Sequence, residues 1–187
     1  VHSRIDPFPM DGGRNEGRGG AARRAALISR LREKEENILL LDAGDIFQGT
    51  PYFNFFEGEL EFKLMSEMGY DAATIGNHDF DAGIDGLHKQ LPHSNFPLLI
   101  SNYDFTDTIM HDKTQPFKIF KKGGLKIGVF GVGIELDGLV PKELYKETKY
   151  LDPLEVANQT AHILKNQLGC DYVICLSHLG YHYRNEN

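Results

Sequence analysis

Gly76-Asn77-His78-Asp79-Phe80-Asp81 decides how this chain is read. The segment places an amide oxygen, an imidazole and two carboxylates directly behind the apolar run Ala72-Ala73-Thr74-Ile75. Metal-assisted hydrolysis of a phosphate ester needs such groups: oxygen ligands for the ion, and an acid or cation beside the leaving group. A lone cluster of this kind also suits a solvated Gly-Asn turn. The rest of the chain has to choose between the two.

Two further runs repeat the pattern. Leu39-Leu40-Leu41-Asp42-Ala43-Gly44-Asp45 is apolar, breaks at a glycine and ends in a carboxylate; Tyr172-Val173-Ile174-Cys175-Leu176-Ser177-His178 ends in a histidine. The opening Val1-His2 reads as the tail of a fourth strand. In open α/β sheets ligands bind outside the carboxyl ends of the strands, so metal-type side chains at several strand ends converge on one rim. Each residue alone has a bland reading, but their common position behind strands points to a metal site.

Between these runs, strands are expected near 38–42, 72–75, 98–101, 117–121, 125–131 and 172–177. Helical periodicity marks 21–34, where Ala22, Ala25, Ala26, Ser29 and Leu31 alternate with Arg and Glu, and also 54–68 and 153–167. Asp152-Pro153 supplies an N-cap followed by proline at the first helical position. Alternating strands and helices predict an α/β layered sandwich. Lys121-Lys122-Gly123-Gly124, lying between two strand runs, predicts a hairpin and hence a mixed sheet. The aromatics of Asn54-Phe55-Phe56 are expected to pack a helix on its sheet rather than to stack on a base.

The 187 residues suffice for one domain with a single large core. Hydrophobic residues make up 41% and charged residues 25%, the balance of a soluble globular protein. A net charge of −7 argues against a surface for polymeric nucleic acid built on bulk positive charge. No apolar run is long enough to span a membrane. Cys170 and Cys175, if on one strand, point to opposite faces and are expected to be buried small hydrophobes rather than a disulfide. The glycine-rich stretch 11–20 lacks the Gly-Lys-Ser/Thr ending of a P-loop and reads as a loop entering a helix. Phosphate contact by its amides, Arg14 or Arg18 is the weaker alternative.

Gly44-Asp45-Ile46-Phe47-Gln48-Gly49 resembles the GDxxxG motif of calcineurin-like metallophosphoesterases, and Gly76-Asn77-His78-Asp79 resembles their GNHD motif. With Phe80-Asp81, the Asp42-Ala43 lead-in and the segment 19–24, the chain is similar to the N-terminal catalytic domain of bacterial 5'-nucleotidases along nearly its whole length. That resemblance implies a layered α/β/β/α sandwich with mixed sheets. It also implies two divalent metal ions (Zn, Mn or Fe), and hydrolysis of nucleoside 5'-monophosphates or other small phosphate esters by a metal-bound water. A 2',3'-cyclic nucleotide phosphodiesterase, a nucleotide-sugar hydrolase and a non-catalytic binding domain on the same fold are the alternatives.

By the same resemblance Asp45 bridges the two ions, Asn77 and His178 complete most of one site, and His2 joins Asp45 at the other. His78 contacts the phosphate or protonates the leaving oxygen, and Asp81 orients it. Their spacing agrees, since positions three apart at a helix start face one side, and a carboxylate beside an imidazole favours its acid form. Asp42 is expected to support the site or cap local backbone. His88, His93, His111 and His162 are expected to be solvated. His182 follows His178 by four positions, a spacing for two ligands on one helix face, but Tyr181 and Tyr183 beside it suggest a surface loop.

Two pieces of the resembling family's pattern are missing: the aspartate of Asp-x-His would precede Val1, and nothing matches Gly-His-x-His. Residues 1–187 are therefore expected to form an incomplete catalytic domain trimmed at both ends. The C-terminal nucleoside-binding domain would lie elsewhere on the same or a separate chain. Family analogy places such enzymes in the periplasm or outside the cell.

Overall fold

The computed structural model describes residues 2–180. The chain forms α1 (Ala21–Lys34), β1 (Leu41–Asp42), α2 (Pro51–Phe56), α3 (Glu59–Glu67), β2 (Ala72–Ala73), α4 (Gly83–Gln90) and β3 (Tyr103–Asp104). There follow β4 (Phe117–Lys122), β5 (Leu125–Gly133), α5 (Lys142–Tyr145), β6 (Lys149–Tyr150), α6 (Pro153–His162) and β7 (Tyr172–His178).

Four layers follow from three separate apolar interfaces. Ala72 and Ala73 are neighbours on β2 and point to opposite faces, as strand pleating requires. Ala73 packs with Ile28 of α1, Phe62 and Met65 of α3, and Ile84 and Leu87 of α4. Ala72 packs instead with Leu99, Val129 of β5 and Leu176 of β7, between the sheets. The outer face of β5, through Phe130 and Val132, meets Leu164 and Cys170, with Ala157 and Ala161 of α6 against them. The order is helices, sheet, sheet, helix: the layered α/β/β/α sandwich expected from the sequence.

The first sheet pairs β1 with β2 in parallel, extended by a parallel bridge from Ala73 to Leu98. The second runs β4-β5-β7, with β4 antiparallel to β5 and β5 parallel to β7. It is mixed, and the turn after Lys122 closes the expected hairpin. The small β3–β6 pair was not foreseen.

Helix α1 has the expected bounds, but its inward face is Ala21, Ala25 and Ile28, while Ala22, Ala26 and Ser29 are exposed. The helix expected over 54–68 is two helices, because Glu57 and Gly58 both take left-handed φ values, 51° and 99°. Phe53 stacks on Phe47, with ring centroids 5.4 Å apart, whereas Phe55 is 80% exposed and packs on no sheet. At α6 the Asp152 carboxylate accepts the N–H groups of Leu154 and Glu155, as the Asp-Pro signal predicts. Five residues of π-helix (Ile163–Gln167) replace the expected end of that helix. Both cysteines are free, Cys170 buried ahead of β7 and Cys175 exposed on it, so only Cys170 is the buried hydrophobe expected.

Candidate active site

Strands β1, β2 and β7 deliver their following residues to one rim. The loop after β1 carries Asp45, the loop after β2 carries Asn77, His78 and Asp81, and β7 ends on His178. His2 joins them through its N–H, which donates to the Asp45 carbonyl at 2.8 Å.

Asp45 lies at the centre. Its Oδ2 is 3.4 Å from His2 Nε2 and 3.2 Å from His178 Nε2, so one carboxylate oxygen has an imidazole on each side. His178 Nδ1 lies 2.8 Å from the Ala43 carbonyl oxygen, which can only accept, so Nδ1 carries hydrogen. In the neutral ring Nε2 is then the lone-pair nitrogen, and it faces the carboxylate. A backbone carbonyl that fixes the tautomer in this way is the usual support of a metal-binding histidine. Burial alone would raise the Asp45 pKa, but the His178 bond and the His78 N–H outweigh it and hold the carboxyl below its usual range. The same bond from Asp45, helped by Ala43, raises the His178 pKa against burial.

The other expected pair also meets. His78 Nδ1 is 3.1 Å from Asp81 Oδ2, across one turn of 3₁₀-helix spanning His78–Phe80. The His78 ring lies edge-on to the His2 ring, with centroids 5.5 Å apart. Asn77 occupies the start of that turn and is half-buried. His182 lies outside the described residues. Among the described residues His93 and His111 pair with surface carboxylates, at 3.9 Å and 3.5 Å.

Sequence reasoning gave no role to Asp79, which is 2% exposed. Its Oδ1 accepts the N–H groups of Ile46 and Phe47 at 2.8 Å and 3.1 Å; its Oδ2 accepts those of Gly76 and Asp45 at 2.8 Å and 3.1 Å. Burial pushes its pKa up to about 6, against the pull of those N–H bonds. The signal available in the sequence was an aspartate in the short loop behind the apolar run 72–75, next to apolar Phe80. Asp42 is likewise buried and accepts the Gly44 N–H at 3.0 Å, so it caps backbone. Burial raises its pKa, opposed by that bond and by Arg24.

Close approach of the two loops requires Gly76 and Gly44. A Cβ on Gly76 would lie 2.2 Å from Asp45 Oδ1 and 2.8 Å from His178 Cε1; one on Gly44 would lie 2.7 Å from the Gly76 nitrogen. A cavity of about 500 Å³ lined by Ile5, Pro7, Ala21, Leu64 and Met68 contains none of the candidate residues.

The family model described as calcineurin-like phosphoesterase matches residues 1–187. The chain belongs to the calcineurin-like phosphoesterases. Within them it is 39% identical to a snake venom 5'-nucleotidase of Crotalus adamanteus, over 97% of this chain and 32% of that one. It is 36% identical to a 5'-nucleotidase of Vibrio cholerae, over 90% and 31% of the two chains. The crystal structure of a 5'-nucleotidase precursor from Thermus thermophilus superposes with a TM-score of 0.86 at 33% identity, covering 96% of this chain and 36% of that one. The chain thus spans about a third of the length of these relatives.

Calcineurin-like phosphoesterases use divalent metals, generally two. The donors gathered here fit such ions by type: a carboxylate flanked by two imidazoles, one held in the lone-pair tautomer, with an amide in the adjacent loop. Among the described residues no three His, Cys, Asp or Glu side chains close on a single ion position.

Proposed function

We propose that this chain is the catalytic part of a dimetal phosphohydrolase acting on nucleoside 5'-monophosphates. The observation that carries the reading is the sharing of Asp45 Oδ2 between His2 and His178, with the His78–Asp81 pair beside it. Asp45 would bridge the ions, His178 and Asn77 would hold one, and His2 the other. When bound, two such ions supply Lewis-acid charge to the phosphoryl oxygens and an activated nucleophile.

The chain's own residues then have separate tasks. The Asp81 carboxylate accepts from His78 Nδ1, which leaves His78 Nε2 to carry a proton toward the leaving oxygen. Buried Asp79 fixes the backbone of both loops, so that Asp45 and His78 need no rearrangement to act together. The 5'-nucleotidases among the relatives support a nucleotide substrate. We place the grip on the nucleoside in a C-terminal domain, on the same or a separate chain; this chain spans only about a third of the relatives' length. A periplasmic or extracellular location accords with the venom relative. No helix among the described residues is long and apolar enough to cross a membrane.

The test is metal content by elemental mass spectrometry on the full-length protein, with hydrolysis of an aryl phosphate and then a panel of nucleoside monophosphates, cyclic nucleotides and nucleotide sugars. Two equivalents of a transition metal, chelator-sensitive turnover and preference for monophosphates are expected. Bound metal with no turnover on any of these would replace the reading with a non-catalytic binding domain.

A further inference from the structure

Helix α3 buries a glutamate that the proposed chemistry does not use. Glu61 is 3% exposed, between the core residues Phe62 and Met65 on one side and the N-terminal segment on the other. Burying a carboxyl group is costly unless it is partnered, so its presence calls for a reason. One oxygen, Oε1, accepts from the Ser3 hydroxyl. The other, Oε2, has no hydrogen-bond partner among the described residues, and neither does the buried Nε of Arg24. Both residues line a cavity of about 10 Å³, together with Ser3 and Arg4.

Ser3 itself sits in a demanding place. His2 and Ser3 have φ values of 45° and 49°, consecutive left-handed conformations that are strained in residues with a Cβ. That turn aims the His2 ring at Asp45. Every polar group of Ser3, which is 1% exposed, is tied down: its N–H donates to the Ile46 carbonyl at 2.9 Å, its carbonyl accepts from Thr50 Oγ1 at 2.9 Å, and its hydroxyl meets Thr50 Oγ1 at 2.7 Å as well as Glu61. Thr50 follows the Asp45 loop, whereas Glu61 belongs to the helical layer. Glu61 is therefore the link that ties the left-handed turn to a rigid element.

We propose that Glu61 is a positioning residue for the metal centre, acting through Ser3 to hold the turn that presents His2 to Asp45. This rests on the dimetal reading above. It assigns to α3 a selective effect on the ion that His2 would hold, and none on the ion held by His178 and Asn77.

The experiment is titration of the metal-free, full-length protein with Zn²⁺ or Mn²⁺ alongside its thermal unfolding, for wild type, Glu61→Ala, Glu61→Gln, Ser3→Ala and Thr50→Val. The expected result is about 10- to 100-fold weaker binding of one of two equivalents in Glu61→Ala and Ser3→Ala, the scale for loss of a ligand's supporting bond. The second equivalent is unchanged. Glu61→Gln keeps an acceptor for Ser3 and recovers most of that loss, and Thr50→Val shows a smaller loss on the same equivalent. Lower melting of the metal-free protein with both affinities intact would make Glu61 a purely structural residue and overturn the proposal, as would equal weakening of both equivalents. If Glu61→Ala does not fold, Ser3→Ala decides between the same outcomes. Wild type that takes up fewer than two equivalents would overturn the dimetal reading itself, an outcome separate from any effect of Glu61.

Discussion

Asp79 and Asp45 brace each other across two loops: Asp79 Oδ2 accepts the Asp45 N–H at 3.1 Å, and Asp45 Oδ1 accepts the N–H of His78, the residue before Asp79, at 3.0 Å. With the N–H groups of Ile46, Phe47 and Gly76, both Asp79 oxygens are saturated by donors. Asparagine there is not a conservative change. Whichever way its amide turns, an NH₂ group faces two N–H donors, and those two are left buried without an acceptor. Each orphaned donor costs about 1–3 kcal/mol. Asp79→Asn should therefore lose about 3 kcal/mol in denaturant unfolding of the metal-free protein, and a loss below about 0.5 kcal/mol, the range of an ordinary surface change, would show that the bracing is unimportant.

Gly76→Ala tests the contact between the loops from the other side. The added methyl would meet Asp45 Oδ1 at 2.2 Å and His178 Cε1 at 2.8 Å, so carboxylate and imidazole have to separate. Overpacking of this kind costs about 1–3 kcal/mol. Metal titration should show weaker uptake together with that loss of stability. Unchanged uptake would mean that the spacing of Asp45 and His178 does not govern binding.

Much of this arrangement was legible in the sequence, for identifiable reasons. Runs such as 172–178 end in a ligand-type side chain because the sheet delivers strand ends to a common rim, and that rule holds for Asp45, His78 and His178 together. The hairpin glycines after Lys122 and the Asp152-Pro153 cap are local signals and work locally. What escaped depends on partners distant in sequence. Asp79 serves backbone amides of another loop; Glu61 serves Ser3; Tyr103 and Asp104 become a strand only by pairing with Tyr150 and Lys149. The break between α2 and α3 was missed because Glu57 adopts a left-handed conformation that its side chain does not advertise.

His78 and Asp81 should separate from the metal ligands on mutation. Removing a positioned proton donor costs about 10²–10⁴-fold in turnover, so His78→Ala should fall in that range with metal content near that of wild type. Asp81→Asn retains an acceptor oxygen for His78 Nδ1 but not the charge, and should fall by a smaller factor. Elemental analysis beside steady-state kinetics reads both. Comparable loss of metal in His78→Ala would move that residue from proton transfer to ligation.

Asp45→Ala removes the one oxygen that faces both His2 and His178. A ligand that serves a single ion would leave the other equivalent bound, whereas loss of a bridging carboxylate removes negative charge from both positions. His178 would keep its tautomer, because its Nδ1 is held by the Ala43 carbonyl rather than by Asp45. Residual binding would then come from an oriented imidazole without its carboxylate, which is a poor site for a divalent ion. Asp45→Ala should accordingly lose both equivalents in a metal titration while the metal-free fold is retained. One full equivalent surviving at wild-type affinity would confine Asp45 to a single ion.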